Sequence, residues 1–99
     1  MIVIIDYGMG NLKNVYNALK YLNIPSKISN EISEIKNADK LILPGVGAFN
    51  KAMYNLNDMG LTDAIKNKVN GGTPLLGICL GMQMMSCFKK DVNMANFGK

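Results

Sequence analysis

The 99-residue chain contains no histidine, no tryptophan and no arginine. Without histidine it lacks the side chain that most often serves as a general acid or base near neutral pH. Without arginine its eleven basic residues are all lysines, scattered from Lys13 to Lys99 and forming no stripe. A formal net charge of +4 spread in this way reads as solvated surface, because a nucleic-acid footprint needs clustered Lys and Arg with interleaved aromatics. No apolar run approaches the roughly 20 residues of a membrane helix. The start, Met1 to Asp6, has neither the basic region nor the small-residue cleavage site of a signal peptide, so a cytoplasmic location is expected. In that setting Cys79 and Cys87 are read as free thiols. On one helix start, eight residues apart, they would lie about 12 Å from each other, too far for a disulfide.

The apolar and charged fractions, 48% and 18%, are those of a globular chain, and this length supports one domain. Short apolar runs alternate with helical segments, the pattern of an α/β fold with a parallel sheet. Met1 to Ile5 is apolar throughout, as a strand covered on both faces should be. Leu12, Val15, Leu19 and Leu22 then recur at helical spacing, giving an amphipathic helix that ends before Pro25. Ser26 to Ser29 reads as a second strand, and Ile32, Ile35 and Ala38 as a short, weaker helix. Lys40 to Leu43 is a third strand, stopped by Pro44-Gly45-Val46-Gly47. Ala48, Ala52, Met53, Leu56 and Met59 mark a helix closed by Gly60, and Leu61, Ala64, Ile65 and Val69 another that runs to Gly71-Gly72. Pro74 opens the fourth strand, Leu75 to Ile78. Met53, Met59, Met82, Met84 and Met85 stand at spacings suited to core packing.

From Pro74 to Met85 the pattern passes directly from strand to helix, with Cys79 at the joint and Gly77 and Gly81 two residues to either side. This is the G-x-S-x-G nucleophile elbow with Cys in place of Ser. The glycines have a steric reason, since a strand and helix meeting at one residue leave no room for β-carbons beside the bend. Such a turn puts the sulfur at a helix N-terminus, where free N–H groups and the helix dipole favour thiolate. The N–H of Leu80 would face an oxyanion formed on the attacked carbonyl. An isolated cytoplasmic cysteine is more often a small buried hydrophobe. The paired glycines and the strand-to-helix context reverse that preference for Cys79 but not for Cys87.

Three segments together, Asp6-Tyr7-Gly8-Met9-Gly10-Asn11-Leu12, Leu43-Pro44-Gly45-Val46-Gly47-Ala48-Phe49 and Gly77-Ile78-Cys79-Leu80-Gly81-Met82-Gln83, resemble the class I (triad) glutamine amidotransferases. Within that family the resemblance is closest to the glutaminase subunits of imidazole glycerol phosphate synthases, and it covers residues 1 to about 85 in order and spacing. It implies a flavodoxin-like parallel sheet flanked by helices, of which residues 1–99 form the N-terminal part of a single type 1 amidotransferase domain. It also implies hydrolysis of glutamine to glutamate and ammonia, with ammonia passed to a (β/α)₈-barrel cyclase partner that makes imidazole glycerol phosphate in histidine biosynthesis. No cofactor or metal is implied. Carried over by residue, Cys79 is the nucleophile, Val46, Gly47 and Leu80 supply the oxyanion hole, and Gly45 and Gln83 contact substrate. Gln83 also fits an ordinary exposed helix position one turn beyond Cys79. Asn11 and Asn14 fall at the partner face, as interface or ammonia-gate residues, with helix capping by Asn11 the competing explanation. Gly8-x-Gly10 is not a dinucleotide fingerprint, because Lys13 stands where the third glycine belongs.

The family completes its triad with a His and a Glu in a His-Pro-Glu type run further along the chain, and neither that run nor any histidine is present. The resemblance fades after Met85. The expectation is therefore an N-terminal fragment, inactive alone, whose nucleophile strand is an apolar sheet edge with part of one face bare. The alternatives are a related amidotransferase serving a surface-sugar amidation enzyme, a non-catalytic partner-binding remnant, and another cysteine hydrolase on a similar sheet.

Overall fold

The computed structural model of the chain describes residues 1–45, 47–79 and Phe88. Along these residues run β1 (Ile2–Ile5), α1 (Leu12–Tyr21), β2 (Ser26–Ser29), α2 (Ile32–Lys36), β3 (Lys40–Gly45), α3 (Phe49–Asp58), α4 (Leu61–Asn70) and β4 (Leu75–Cys79). The strands pair in parallel in the order β2-β1-β3-β4. This is the flavodoxin-like arrangement, in which the chain steps from β1 outward to β2 and then returns to pair β3 on the other side of β1. The reversal puts the topological switch point at the carboxyl ends of β1 and β3, which is where the Asp6–Asn11 turn and the loop after Gly45 leave the sheet.

The two faces of the sheet are unequally covered. Val3 and Ile5 of β1 and Leu41 and Leu43 of β3 lie on one face, in a core that also holds Ile35, Leu56, Leu61, Ile65 and Phe88, all fully buried. Helices α2, α3 and α4 contribute this cover. The opposite face carries the in-register row Ile28, Ile4, Ile42 and Leu76. Exposure along that row runs 38%, 0%, 6% and 58%, so α1 shields its middle while Leu76 on β4 stands in solvent. Among the described residues β4 is an edge strand, and the bare apolar face expected from the sequence is found there.

Local chemistry sets the element ends. Asn11 caps α1, its Oδ1 accepting from the Asn14 N–H at 3.4 Å. The helix closes on Asn23 at φ +60°, with Ile24 N–H donating to the Leu19 carbonyl (2.9 Å) and Asn23 N–H to that of Lys20 (3.0 Å). Asparagine tolerates this left-handed position better than other non-glycine residues. Leu22 is consequently the C-cap and is exposed, a correction to its expected place on the apolar face. Met59, expected in the core, caps α3 and is also exposed. Met82, Met84, Met85 and Cys87 lie outside the described residues.

Strand β3 departs from expectation in an informative way, because it runs through Pro44 to Gly45 where proline was expected to stop it. In a parallel ladder alternate residues bond to opposite neighbours. Leu41 N–H donates to the Pro74 carbonyl, so Leu41, Leu43 and Gly45 face β4, while Ile42 and Pro44 face β1. Pairing with β1 ends at Ile42. The amide hydrogen that Pro44 lacks is the one that would have extended the ladder to β1, and the pairing with β1 stops there while that with β4 goes on.

On the far edge, the Ser29 hydroxyl donates to Glu34 at 2.5 Å and accepts from the Glu31 N–H at 3.0 Å, while Lys27 forms an ion pair with the same Glu34 carboxylate. Lys27, and then Ser29, hold the Glu34 carboxyl below its ordinary pKa. A depressed carboxylate stabilises the fold above its unfolded pKa and loses that contribution as pH falls through the folded value. Thermal melts across the acid range should therefore show a steeper loss of stability in the unmodified chain than in Glu34→Gln. Parallel acid limbs would show that the cluster does not couple α2 to β2.

Candidate active site

The described residues of the three motif segments, far apart in sequence, meet at one edge of the sheet. Register pairs Leu43 with Gly77, Pro44 with Ile78 and Gly45 with Cys79, so the last residue of β3 lies beside the last residue of β4. From the other side the first turn closes directly onto β3. A Cβ built on Gly10, whose φ is +96°, would lie 3.0 Å from Pro44 Cβ and 3.1 Å from Gly45 N. That approach admits only glycine, both for the dihedral and for the space. Two residues beyond the strand, Gly47 at φ +93° packs against Met9, whose Cε would be 3.3 Å from an added Cβ. The order across this edge is thus first turn, β3 loop, nucleophile strand.

Tyr7 joins the first two. It is fully buried, and its hydroxyl donates to the Pro44 carbonyl at 2.5 Å. If β1 continued in register, Asp6 would stand opposite Pro44 and the Tyr7 backbone amide would reach that carbonyl. Pairing of β1 with β3 instead ends at Ile4 and Ile42, and the last ladder bond of β1 goes to β2, from the Asp6 N–H to the Ser29 carbonyl at 3.0 Å. The Tyr7 phenol substitutes for the lost ladder donor. Asn55 of α3 holds the Tyr7 backbone in turn, its Nδ2 donating to the Tyr7 carbonyl at 3.2 Å. Burial pushes the phenol pKa up to about 12, because the phenolate would be poorly solvated there.

Of the residues singled out in the sequence, Cys79 ends β4, Gly45 is buried beside it in the ladder, and Gly47 is exposed just past β3. Asn11 and Asn14 are exposed at the start of α1, on the same edge, and Asn11 is engaged in capping. Val46, Leu80 and Gln83 lie outside the described residues. Tyr7 and Asn55 were not anticipated. The available signal was a lone aromatic between a buried strand and two glycines, a position where solvent-exposed turns usually carry small polar residues. Among the described residues no group of three or more Cys, Asp or Glu side chains could hold a metal ion, and no helix is long and apolar enough to cross a membrane. Cavities of about 310, 260 and 240 Å³ all border Met1, at the amino ends of the strands and away from the motif edge.

Known proteins resemble this chain over most of its length. The family model described as glutamine amidotransferase class-I matches residues 3–94. The imidazole glycerol phosphate synthase subunit HisH of Geobacillus kaustophilus is 55% identical over 85 residues, covering 86% of this chain and 40% of that protein. The protein of the same name from Caldanaerobacter subterraneus is 54% identical over 85 residues, covering 86% of this chain and 42% of its own. A solved structure described as the crystal structure of a glutamine amidotransferase has a TM-score of 0.70 at 25% identity, covering 83% of this chain and 43% of that one. The chain therefore spans about two fifths of the length of the curated relatives it matches.

Two measurements check the local geometry. Gly10→Ala must adopt a strained dihedral and displace the Pro44–Gly45 backbone, so it should destabilise the fold by about 1–3 kcal/mol in chemical denaturation. A neutral substitution would mean that the first turn does not close onto β3. Alkaline titration followed by tyrosinate absorbance should show one of the four tyrosines ionising late. Because the folded pKa of Tyr7 is raised, stability is complete below pH 10 and should decline from there toward pH 12, and Tyr7→Phe should remove that part of the decline.

Proposed function

Because the chain belongs to the class-I glutamine amidotransferase family, we propose that it carries the nucleophile side of a glutaminase site, with Cys79 as the attacking residue. The observation that carries this reading is the in-register pairing of Gly45 with Cys79, which sets the Gly45–Gly47 loop beside the end of the nucleophile strand. In the proposed reaction the Cys79 thiolate adds to the side-chain carbonyl carbon of glutamine. The resulting oxyanion takes hydrogen bonds from the backbone N–H groups of Val46 or Gly47 and of Leu80. Collapse breaks the C–N bond, ammonia leaves with an added proton, and a glutamyl thioester remains. Water then attacks the thioester, releasing glutamate and the thiol. Gly45 and Gln83 contact the amino-acid end of the substrate.

The proton for the departing ammonia and the base for the attacking water are the parts this sequence does not carry, since it has no histidine. A positioned general acid and base is worth about 10²- to 10⁴-fold in rate. The same reading extends to a partner. The exposed Asn11 and Asn14, beside the loop, form the docking edge for a (β/α)₈-barrel cyclase that receives the ammonia, in a cytoplasmic heterodimer acting in histidine biosynthesis. The high identity to proteins named imidazole glycerol phosphate synthase subunit HisH supports that partner over a surface-sugar amidation enzyme.

An electrophilic glutamine analogue tests the site directly. It should alkylate Cys79 in preference to Cys87, glutamine should protect against it, and Cys79→Ala should abolish it. Equal labelling of both cysteines without glutamine protection would remove the glutaminase reading. Turnover of glutamine by the 99-residue chain should be at least about 10²-fold below that of a whole family member. A comparable turnover number would show that another group supplies the acid and base.

A further inference from the structure

The buried Tyr7 hydroxyl reaches a carbonyl that stands at the root of the proposed oxyanion loop. The Pro44 carbonyl and the Gly45 N–H belong to one planar peptide unit, so whatever orients the first orients the second. In β3 the two point opposite ways, the carbonyl toward β1 and Tyr7, the amide toward β4. Rotating this plane would break the Tyr7 hydrogen bond and leave a buried carbonyl unpaired, which is costly. The donor is itself anchored, through the Asn55 bond to the Tyr7 carbonyl. Gly10 closes over the same plane, an added Cβ there falling 3.1 Å from both Pro44 C and Gly45 N.

Resting on the glutaminase reading above, we propose that Tyr7 is a positioning residue for the oxyanion loop: by holding the Pro44–Gly45 peptide it sets the direction in which residues 45–47 leave β3, and so where their amides stand relative to Cys79. Tyr7 touches no substrate in this assignment. Phenylalanine would fill the same volume without donating. Burial also keeps the phenol protonated through the neutral range, so it remains a donor.

The test uses the 99-residue chain, its Tyr7→Phe variant, and Ile65→Ala as a destabilised control in the core of α4. Modification of Cys79 is followed with a diazoketone analogue of glutamine, which uses the oxyanion site, and with iodoacetamide, which does not. Tyr7→Phe should lower the maximal inactivation rate by the analogue about tenfold or more, with half-saturation changed by less than about threefold. Its iodoacetamide rate should match that of the unmodified chain, and Ile65→Ala should match the unmodified chain with both reagents. An unchanged rate with the analogue, equal losses with both reagents, or the same loss in Ile65→Ala would reduce Tyr7 to a structural residue and overturn the proposal. If the unmodified chain showed no preference for the analogue at Cys79, the glutaminase reading would fall first and the proposal with it. Should Tyr7→Phe fail to fold, Asn55→Ala, which loosens the hold on the Tyr7 backbone and keeps the phenol, takes its place. A slower maximal rate with the analogue at an unchanged iodoacetamide rate supports the assignment, and unchanged rates with both reagents overturn it.

Discussion

The hydrogen bond from the Tyr7 hydroxyl to the Pro44 carbonyl is the constraint on which the motif edge depends. A proline near the end of an inner strand creates a local problem. It has no amide hydrogen, and its carbonyl points toward a neighbour whose pairing with β3 has already ended. The missing donor ends the ladder on that side, at the last residue of β1. The carbonyl is different, since a buried acceptor without a partner costs about 1–3 kcal/mol. A phenol from the first turn meets that need at a distance a backbone amide no longer covers. Once it is in place the turn cannot drift from β3, and Gly10 can pack against the Pro44–Gly45 peptide with no side chain between them.

This arrangement separates the work of the two ends of the sheet. The interior is held by aliphatic side chains from β1, β3, α2, α3 and α4, packed without a buried unpaired side-chain polar atom among the described residues. At the carboxyl edge, polar contacts and glycine approaches take over from apolar burial. The topological reversal between β1 and β3 accounts for the location, because the chain leaves those two strands there toward opposite faces of the sheet, to α1 and to α3. Cys79 reaches the edge through β4 and not through either diverging loop. Its position relative to them is therefore set by strand register, which a one-residue slip would ruin by reversing every side chain of β4.

The chemistry proposed for the edge is asymmetric. Oxyanion stabilisation by backbone amides needs only well-placed peptide planes, and those can be supplied by the strands and loops of this segment. Proton transfer needs a titratable side chain with a pKa near the working pH, and without histidine the chain has no group of that kind with an unperturbed pKa.

The sequence by itself determined the order of elements, the parallel α/β class and the family. Apolar periodicity, glycine and proline punctuation, and three spaced motifs are local or additive signals that survive without coordinates. Ser26–Ser29 and Leu75–Cys79 formed strands close to where the pattern placed them, and Asn11 capped α1 as its residue type allowed. Tertiary structure alone decided that β3 would continue through Pro44, that Leu22 and Met59 would be exposed, and that Tyr7 would serve the Pro44 carbonyl. Each of these depends on which strand lies on which side and where its pairing ends. A neighbour 37 residues away in the chain fixes whether a proline breaks a strand and whether a tyrosine is a turn residue or a buried donor. Those facts enter only when the sheet is assembled.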